Sequence, residues 1–220
     1  MLKQNEKNWE NAFIKFSQNI HLAKILGEYN IKKYLNNNYD SEKKILDFGC
    51  GSGDLLMELK NLGYKNLYGY DVTNDLINKG YLENKIFNFI LNEEKKLDNL
   101  SKHGPFDVII FIGVLHHLEK PFEKIEEIFQ FHKNNKLKII CIEPTSTVLR
   151  NIAEKAIIDF KLGNFFFKNL YQCLINEWPT YKPWTLVSLK EIEKNLKKIG
   201  FKSIFLKKTF LNVEMVAENF

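Results

Sequence analysis

The residues best suited to chemistry fall at five places along the chain. Asp47 heads a short run in which Gly49, Gly51 and Gly53 alternate with Phe48, Cys50 and Ser52. Glycine reaches positive φ and carries no Cβ, so such a loop lets a ligand come close to the backbone. The run Asp54-Leu55-Leu56 can start a helix, and free N–H groups at a helix start add polar contacts. Asp71 lies about 20 residues further on, the offset at which doubly wound nucleotide folds place an acid against a ribose diol. A carboxylate has two acceptor oxygens for the two hydroxyls. The pair His116-His117 and the acid Glu143 complete the set. Histidine titrates near neutral pH and can take a proton from a hydroxyl. Glu143 is a second candidate base, or else a carboxylate satisfied by loop amides before Pro144.

The glycine spacing restricts the ligand. A dinucleotide fingerprint requires G-x-G-x-x-G before a helix. Gly49 and Gly51 fit it, but the third glycine position falls on Asp54. The pattern present is D-x-G-x-G-x-G.

Elements that would position these residues follow from the alternation of apolar runs and breakers. Strands are expected at 45–48, 66–71, 86–91, 106–112 and 137–142. Helices are expected near 53–62, 74–82 and 121–134, with a polar, weakly helical segment at 93–102. Pro121 suits a first helical turn. Strands and helices in alternation imply a parallel sheet covered on both faces, with ligands outside the carboxyl ends of the strands. Trp9, Phe13, Phe16, Ile20, Ala23 and Leu26 give an amphipathic helical stripe before the first strand. Ser188 and Glu191 have capping-box spacing for a helix ending at Gly200. Residues 201–207 and 210–216 read as a final hairpin.

Motif and order together resemble class I S-adenosylmethionine-dependent methyltransferases. Ile45-Leu46-Asp47-Phe48-Gly49-Cys50-Gly51-Ser52-Gly53 resembles their first motif. Leu67-Tyr68-Gly69-Tyr70-Asp71 resembles their second strand, Phe106–Leu118 the fourth strand with its exit loop, and Lys138–Pro144 the fifth. The resemblance implies a Rossmann-like α/β fold: a seven-stranded, mostly parallel sheet with an antiparallel last strand and helices on both faces. It implies S-adenosylmethionine as cofactor and S-adenosylhomocysteine as product. Asp47 would meet the methionyl ammonium, and the loop with Gly49, Cys50, Gly51, Gly53 and Gly113 would lie beneath the cofactor. Asp71 would bind the ribose and Val72 would lie against adenine. The family's acidic pair after the third strand contacts the adenine amine; this chain has Asn92 and Glu93 there instead. His116, His117 and Glu143 would stand near the transferred methyl group, His116 slightly preferred.

The expected activity is methyl transfer to a small-molecule acceptor, a hydroxyl of a sugar, lipid-like compound or secondary metabolite. Two other readings stay open: a nicotinamide-dependent oxidoreductase, and a non-catalytic binding module on this fold. No metal site is expected. The chain reads as one domain, 1–220: a helical addition at 9–38, a cofactor core at 43–144, an acceptor lid at 145–187 rich in aromatics, and a C-terminal helix and hairpin at 188–220.

Composition bounds the partners. The 220 residues carry a net charge of +5 and are 45% hydrophobic. Arg150 is the only arginine, and the lysines alternate with glutamates. Arginine's planar fork is the usual reader of phosphates and bases, so nucleic acid is disfavoured as a partner. The Asn/Asp-Pro-Pro-aromatic sequence of nucleobase-amine methyltransferases is also missing; Phe111-Ile112-Gly113-Val114 stands there. No apolar run is long enough to span a bilayer and the N-terminus lacks a signal-peptide core, so a cytoplasmic protein is expected. Cys50, Cys141 and Cys173 form neither metal nor disulfide spacing. Oligomeric state is left open.

Overall fold

Short apolar strands alternating with amphipathic helices assemble as one sheet. The computed structural model describes residues 31, 33–35, 40–72, 76–78, 88–91, 98–147, 151–152, 155, 179, 181–209 and 212–220. In chain order the elements are β1 (Lys44–Phe48), α1 (Asp54–Asn61), β2 (Asn66–Asp71), β3 (Asn88–Leu91), α2 (Asp98–His103), β4 (Val108–Ile112), a 3-10 turn (Leu115–His117), α3 (Pro121–His132), β5 (Lys138–Pro144), α4 (Leu189–Ile199), β6 (Ser203–Lys208) and β7 (Asn212–Glu218). The seven strands lie in the order β3-β2-β1-β4-β5-β7-β6. The first five run parallel, while β7 is antiparallel to both β5 and β6.

The order of the sheet reverses between β1 and β4, which neighbour each other although two strands separate them in sequence. Ligand crevices of open α/β sheets open at such switch points. The glycine loop leaves β1 there, and the histidine turn leaves β4.

Alternate residues on each strand feed two cores, because side chains of a strand point to opposite faces. Leu46, Phe48, Ile109, Phe111, Ile139, Cys141 and Met215 pack with Ile125, Ile128 and Phe129 of α3 and Ile192 and Leu196 of α4. On the other face Ile45, Val108, Ile110, Ile140, Ile142 and Val216 pack with Leu56 and Leu59 of α1 and with Ile31, Tyr34 and Leu35. A fully buried leucine or isoleucine contributes about 1.5–3 kcal/mol. Double-sided burial explains why the strands read as continuous apolar runs.

Local signals match the ends of the elements. Ser188 caps α4, its Oγ accepting from the Glu191 N–H at 3.1 Å, and Gly200 ends the helix at φ 122°. The final hairpin is present, shifted about two residues towards the C-terminus relative to the sequence expectation. Residues 31 and 33–35 are helical and 76–78 are helical. The rest of the expected N-terminal helix, Asn92, Glu93 and most of the 145–187 insert lie outside the described residues. Among the described residues no helix is long and apolar enough to cross a membrane.

Candidate active site

The glycine loop is fixed from below by backbone bonds. Gly49 and Cys50 both donate to the Tyr70 carbonyl, at 2.7 and 3.1 Å, tying the end of β1 to the end of β2. Gly49, Gly51 and Gly53 have φ of 83°, 52° and 86°. At Gly49 a Cβ would lie 2.3 Å from Val114 Cγ2, so glycine there admits the chain leaving β4. At Gly51 the nearest atom to a Cβ is Leu76 Cδ1 at 3.8 Å, so its surface is open. Cys50 turns its thiol inwards, close to Gly69. Burial, with Asp47 and Asp71 nearby, pushes that thiol well up, so Cys50 lines the loop through its backbone and is no nucleophile.

Three carboxylates surround the loop. Asp71 ends β2 and accepts the Gly51 N–H at 2.8 Å through Oδ2. Asp47 is 4% exposed, and among the described residues no hydrogen-bond donor reaches its carboxylate. Burial first, then the charges of Asp71 and Asp54, push Asp47 up to about 8. Asp54 occupies the first turn of α1, where a pyrophosphate would sit in a dinucleotide fold. The cluster therefore repels phosphate and suits a cation. S-Adenosylmethionine fits, since its methionyl ammonium and sulfonium are both positive. Val72, directly after Asp71, is 59% exposed and presents an apolar surface at the mouth of the loop.

The histidines and Glu143 meet across the switch point. Glu143 ends β5 with no exposure. Its Oε1 accepts from the N–H groups of Val114 at 2.8 Å and Leu115 at 2.9 Å. Its Oε2 accepts from the His116 N–H at 3.4 Å and contacts His116 Nδ1 at 2.9 Å. A carboxylate acceptor makes Nδ1 the protonated nitrogen, which leaves the basic lone pair on Nε2. The His116 ring is 4.0 Å from that of His117 and meets Tyr181 edge-on at 5.6 Å. His116 is 7% exposed, and its Cε1 edge faces Gly113, whose φ is 63°.

Sequence reasoning placed Asp47, Gly49, Cys50, Gly51, Gly53, Asp71, Val72, Gly113, His116, His117 and Glu143 together, and all stand at the carboxyl ends of β1, β2, β4 and β5. It did not single out Val114, which seals Gly49, or Phe89, which would lie 3.0 Å from a Cβ at Gly53. Nor did it single out Tyr181 against His116. Val114 follows Gly113 directly, which was the available signal for it, whereas Phe89 has no glycine beside it in the sequence. Nothing local marks Tyr181.

A family model described as a methyltransferase domain matches residues 23–204. The chain belongs to this methyltransferase family. S-Adenosylmethionine dependence, the Rossmann-like seven-stranded fold and enzymatic character hold as expected, and the oxidoreductase and non-catalytic readings fall away.

The methyltransferase is 33% identical over 88 residues to tRNA U34 carboxymethyltransferase of Campylobacter hominis, covering 39% of this chain and 31% of that protein. It is 24% identical over 141 residues to human methyltransferase-like protein 27, covering 64% of this chain and 56% of that one. The chain thus spans about a third of the first relative and just over half of the second. Among solved structures it resembles magnesium protoporphyrin IX methyltransferase of Synechocystis PCC 6803 with bound S-adenosylhomocysteine. That likeness has a TM-score of 0.63 at 15% identity and covers 99% of this chain and 95% of the other. The plantazolicin methyltransferase BamL, also with S-adenosylhomocysteine, gives 0.69 at 13% identity, with coverage of 99% and 97%. These structural likenesses concern the fold.

One expectation is corrected. Nucleic acid was disfavoured as a partner, yet curated relatives from Campylobacter and Helicobacter are named for a tRNA substrate. The physical reason is that scarce arginine does not remove phosphate binding, because lysine binds phosphate as a point charge.

Proposed function

We propose that this domain moves the methyl group of S-adenosylmethionine to a hydroxyl oxygen, with His116 as the base, and that the hydroxyl belongs to a tRNA nucleoside. The observation carrying the base assignment is the 2.9 Å contact between His116 Nδ1 and the buried Glu143. Both Glu143 oxygens already accept hydrogen bonds, so Glu143 serves as a positioning residue and not as the base. The tRNA acceptor rests on the names of the curated relatives. We read the chain as one domain over 1–220, the 145–187 insert covering the acceptor.

Asp47 would hold the methionyl ammonium, Asp71 the ribose hydroxyls and Val72 the adenine face. The bound cofactor supplies a methyl carbon made electrophilic by its sulfonium sulfur. With the cofactor bound, His116 Nε2 would take the acceptor hydroxyl's proton, so that the oxygen could accept the methyl group and the C–S electron pair would stay with the departing S-adenosylhomocysteine. Alignment and exclusion of water supply most of the remaining rate. His117 packs at a tilt against His116, ring centroids 4.0 Å apart, and restrains its ring.

A second reading keeps the chemistry and moves the hydroxyl to a small molecule: a sugar, a lipid-like compound or a secondary metabolite. Its support is the aromatic composition of 160–184. One assay separates the two, using methyl-tritiated S-adenosylmethionine with tRNA from cells lacking this gene. Label in precipitated RNA supports the tRNA acceptor, and label only in a small-molecule extract supports the second reading. Release of no S-adenosylhomocysteine with either would overturn transfer itself.

A further inference from the structure

The outward face of α4 carries a row of lysines, with Glu191 and Glu193 beside it. Each helical residue turns about 100° and rises about 1.5 Å. Ile192, Leu196 and Ile199 are buried, which sets Lys190, Lys194 and Lys198 on the opposite side, all exposed. They stand in steps of about 6 Å. Lys197 lies on the same side but is paired with Glu193 at 2.5 Å. Among the described residues no carboxylate pairs with Lys190, Lys194 or Lys198. Lys202, just past the Gly200 end of the helix, is also exposed.

The row starts beside the active site. Trp184 donates from Nε1 to the Pro144 carbonyl at 3.0 Å, and Ser146 donates to the Thr185 carbonyl at 3.1 Å. These bonds hold the segment four to five residues before α4 against the end of β5, one residue from Glu143. From there the lysines run down the side of the sheet. The neighbouring helix α3 exposes Glu126, with Glu119 just before it, while its Glu123 and Glu127 are paired with Lys120 at 2.8 Å and Lys124 at 2.6 Å, so α3 offers a polyanion no comparable row of lysines. None of the exposed large apolar side chains lies on α4, which disfavours a membrane, since insertion requires an apolar face beside the basic one.

We propose that Lys190, Lys194 and Lys198 dock the phosphate backbone of an RNA and lead it to the active-site rim. The inference deepens the tRNA-acceptor reading and rests on it. Regularly spaced ammonium groups, with no aromatic ring under them among the described residues, fit a repeating phosphate chain better than a protein surface, whose anchors are aromatic or arginine.

The test is binding of unfractionated tRNA by the full chain over a series of salt concentrations. The variants are Lys190→Gln/Lys194→Gln/Lys198→Gln and a charge-matched control, Lys33→Gln/Lys133→Gln/Lys136→Gln. The row variant is expected to bind about tenfold more weakly, with a log–log salt slope shallower by about 2–3, the value for three lost phosphate contacts. The control should keep the wild-type slope. Equal losses in both variants, no loss in either, or row-dependent binding to phosphatidylserine vesicles in place of tRNA would overturn the proposal. Stabilisation by S-adenosylhomocysteine is measured alongside and should be the same in all three proteins. Its absence from the wild type would instead overturn the functional reading.

Discussion

Glu143 lies wholly buried at the end of β5 and holds His116 Nδ1 at 2.9 Å while accepting the three successive backbone N–H groups of Val114, Leu115 and His116. One carboxylate thus shapes the turn after β4 and fixes the tautomer of the histidine in it. Glu143→Ala strands these donors in a buried place, where each unsatisfied group costs about 1–3 kcal/mol. A loss of about 3 kcal/mol is expected by urea unfolding. Glu143→Gln keeps one oxygen but turns an NH2 group towards donors, so it should recover only part of the stability and little turnover.

The raised Asp47 makes the stability of the cofactor-free protein depend on pH. In the folded state Asp47 keeps its proton to about 8, against an ordinary value of 3.8. Its stabilising contribution is complete below the ordinary value and is lost as pH rises through about 8. Between these limits the Asp47 contribution falls by about 1.4 kcal/mol per pH unit. Asp47→Asn should flatten this dependence and raise stability in alkali. Unfolding midpoints of both proteins across the window check it.

Asp47 should also make cofactor affinity pH-dependent, because an ammonium partner favours the ionised carboxylate. Affinity for S-adenosylmethionine should strengthen as pH approaches about 8. Asp47→Asn should weaken it by about 1.5–3 kcal/mol, the worth of a hydrogen bond to a charged group. Titration calorimetry at several pH values, including the proton release on binding, reads both effects.

Two of the loop glycines should respond differently to the same methyl group. Gly49→Ala meets Val114 Cγ2 at 2.3 Å in a positive-φ position, and should cost about 2–3 kcal/mol. Gly51→Ala meets no close neighbour, so its stability cost should be about 1 kcal/mol, with the loss appearing in cofactor affinity. Thermal unfolding with and without S-adenosylhomocysteine separates the two.

Local spacing made the turn after β1 legible: the positive-φ glycines Gly49, Gly51 and Gly53, and Asp71 bonded to the Gly51 N–H, are features that short sequence patterns encode. The reversed β7 was legible because a hairpin needs only two neighbouring apolar runs. Long-range pairs were not. The Tyr34 hydroxyl donates to Glu214, 180 residues away, and Tyr181 packs edge-on against His116. No local pattern specifies such partners. The sequence left Glu143 between two roles, as base or as acceptor of loop amides; only the folded loop shows its oxygens taken up by those amides.

Tyr34→Phe removes the hydroxyl that donates to the buried Glu214, in a phenol held well above its ordinary value by burial and by Glu214. The expected cost is about 1–3 kcal/mol of stability, read by urea unfolding. Affinity for S-adenosylhomocysteine should be unchanged, since this pair lies two strands away from the glycine loop's neighbour β4.

Thermal stability with S-adenosylhomocysteine, S-adenosylmethionine and NAD reads the donor site most directly. A ligand at about a hundred times its dissociation constant adds about 2.7 kcal/mol, or about 5–11 °C for a domain of this size. Both sulfur nucleotides should raise the midpoint by that order, NAD should not, and Asp47→Asn should shrink the shift. A midpoint unmoved by either sulfur nucleotide, or moved equally by NAD, would contradict a methyl-donor site built on Asp47, Gly51 and Asp71.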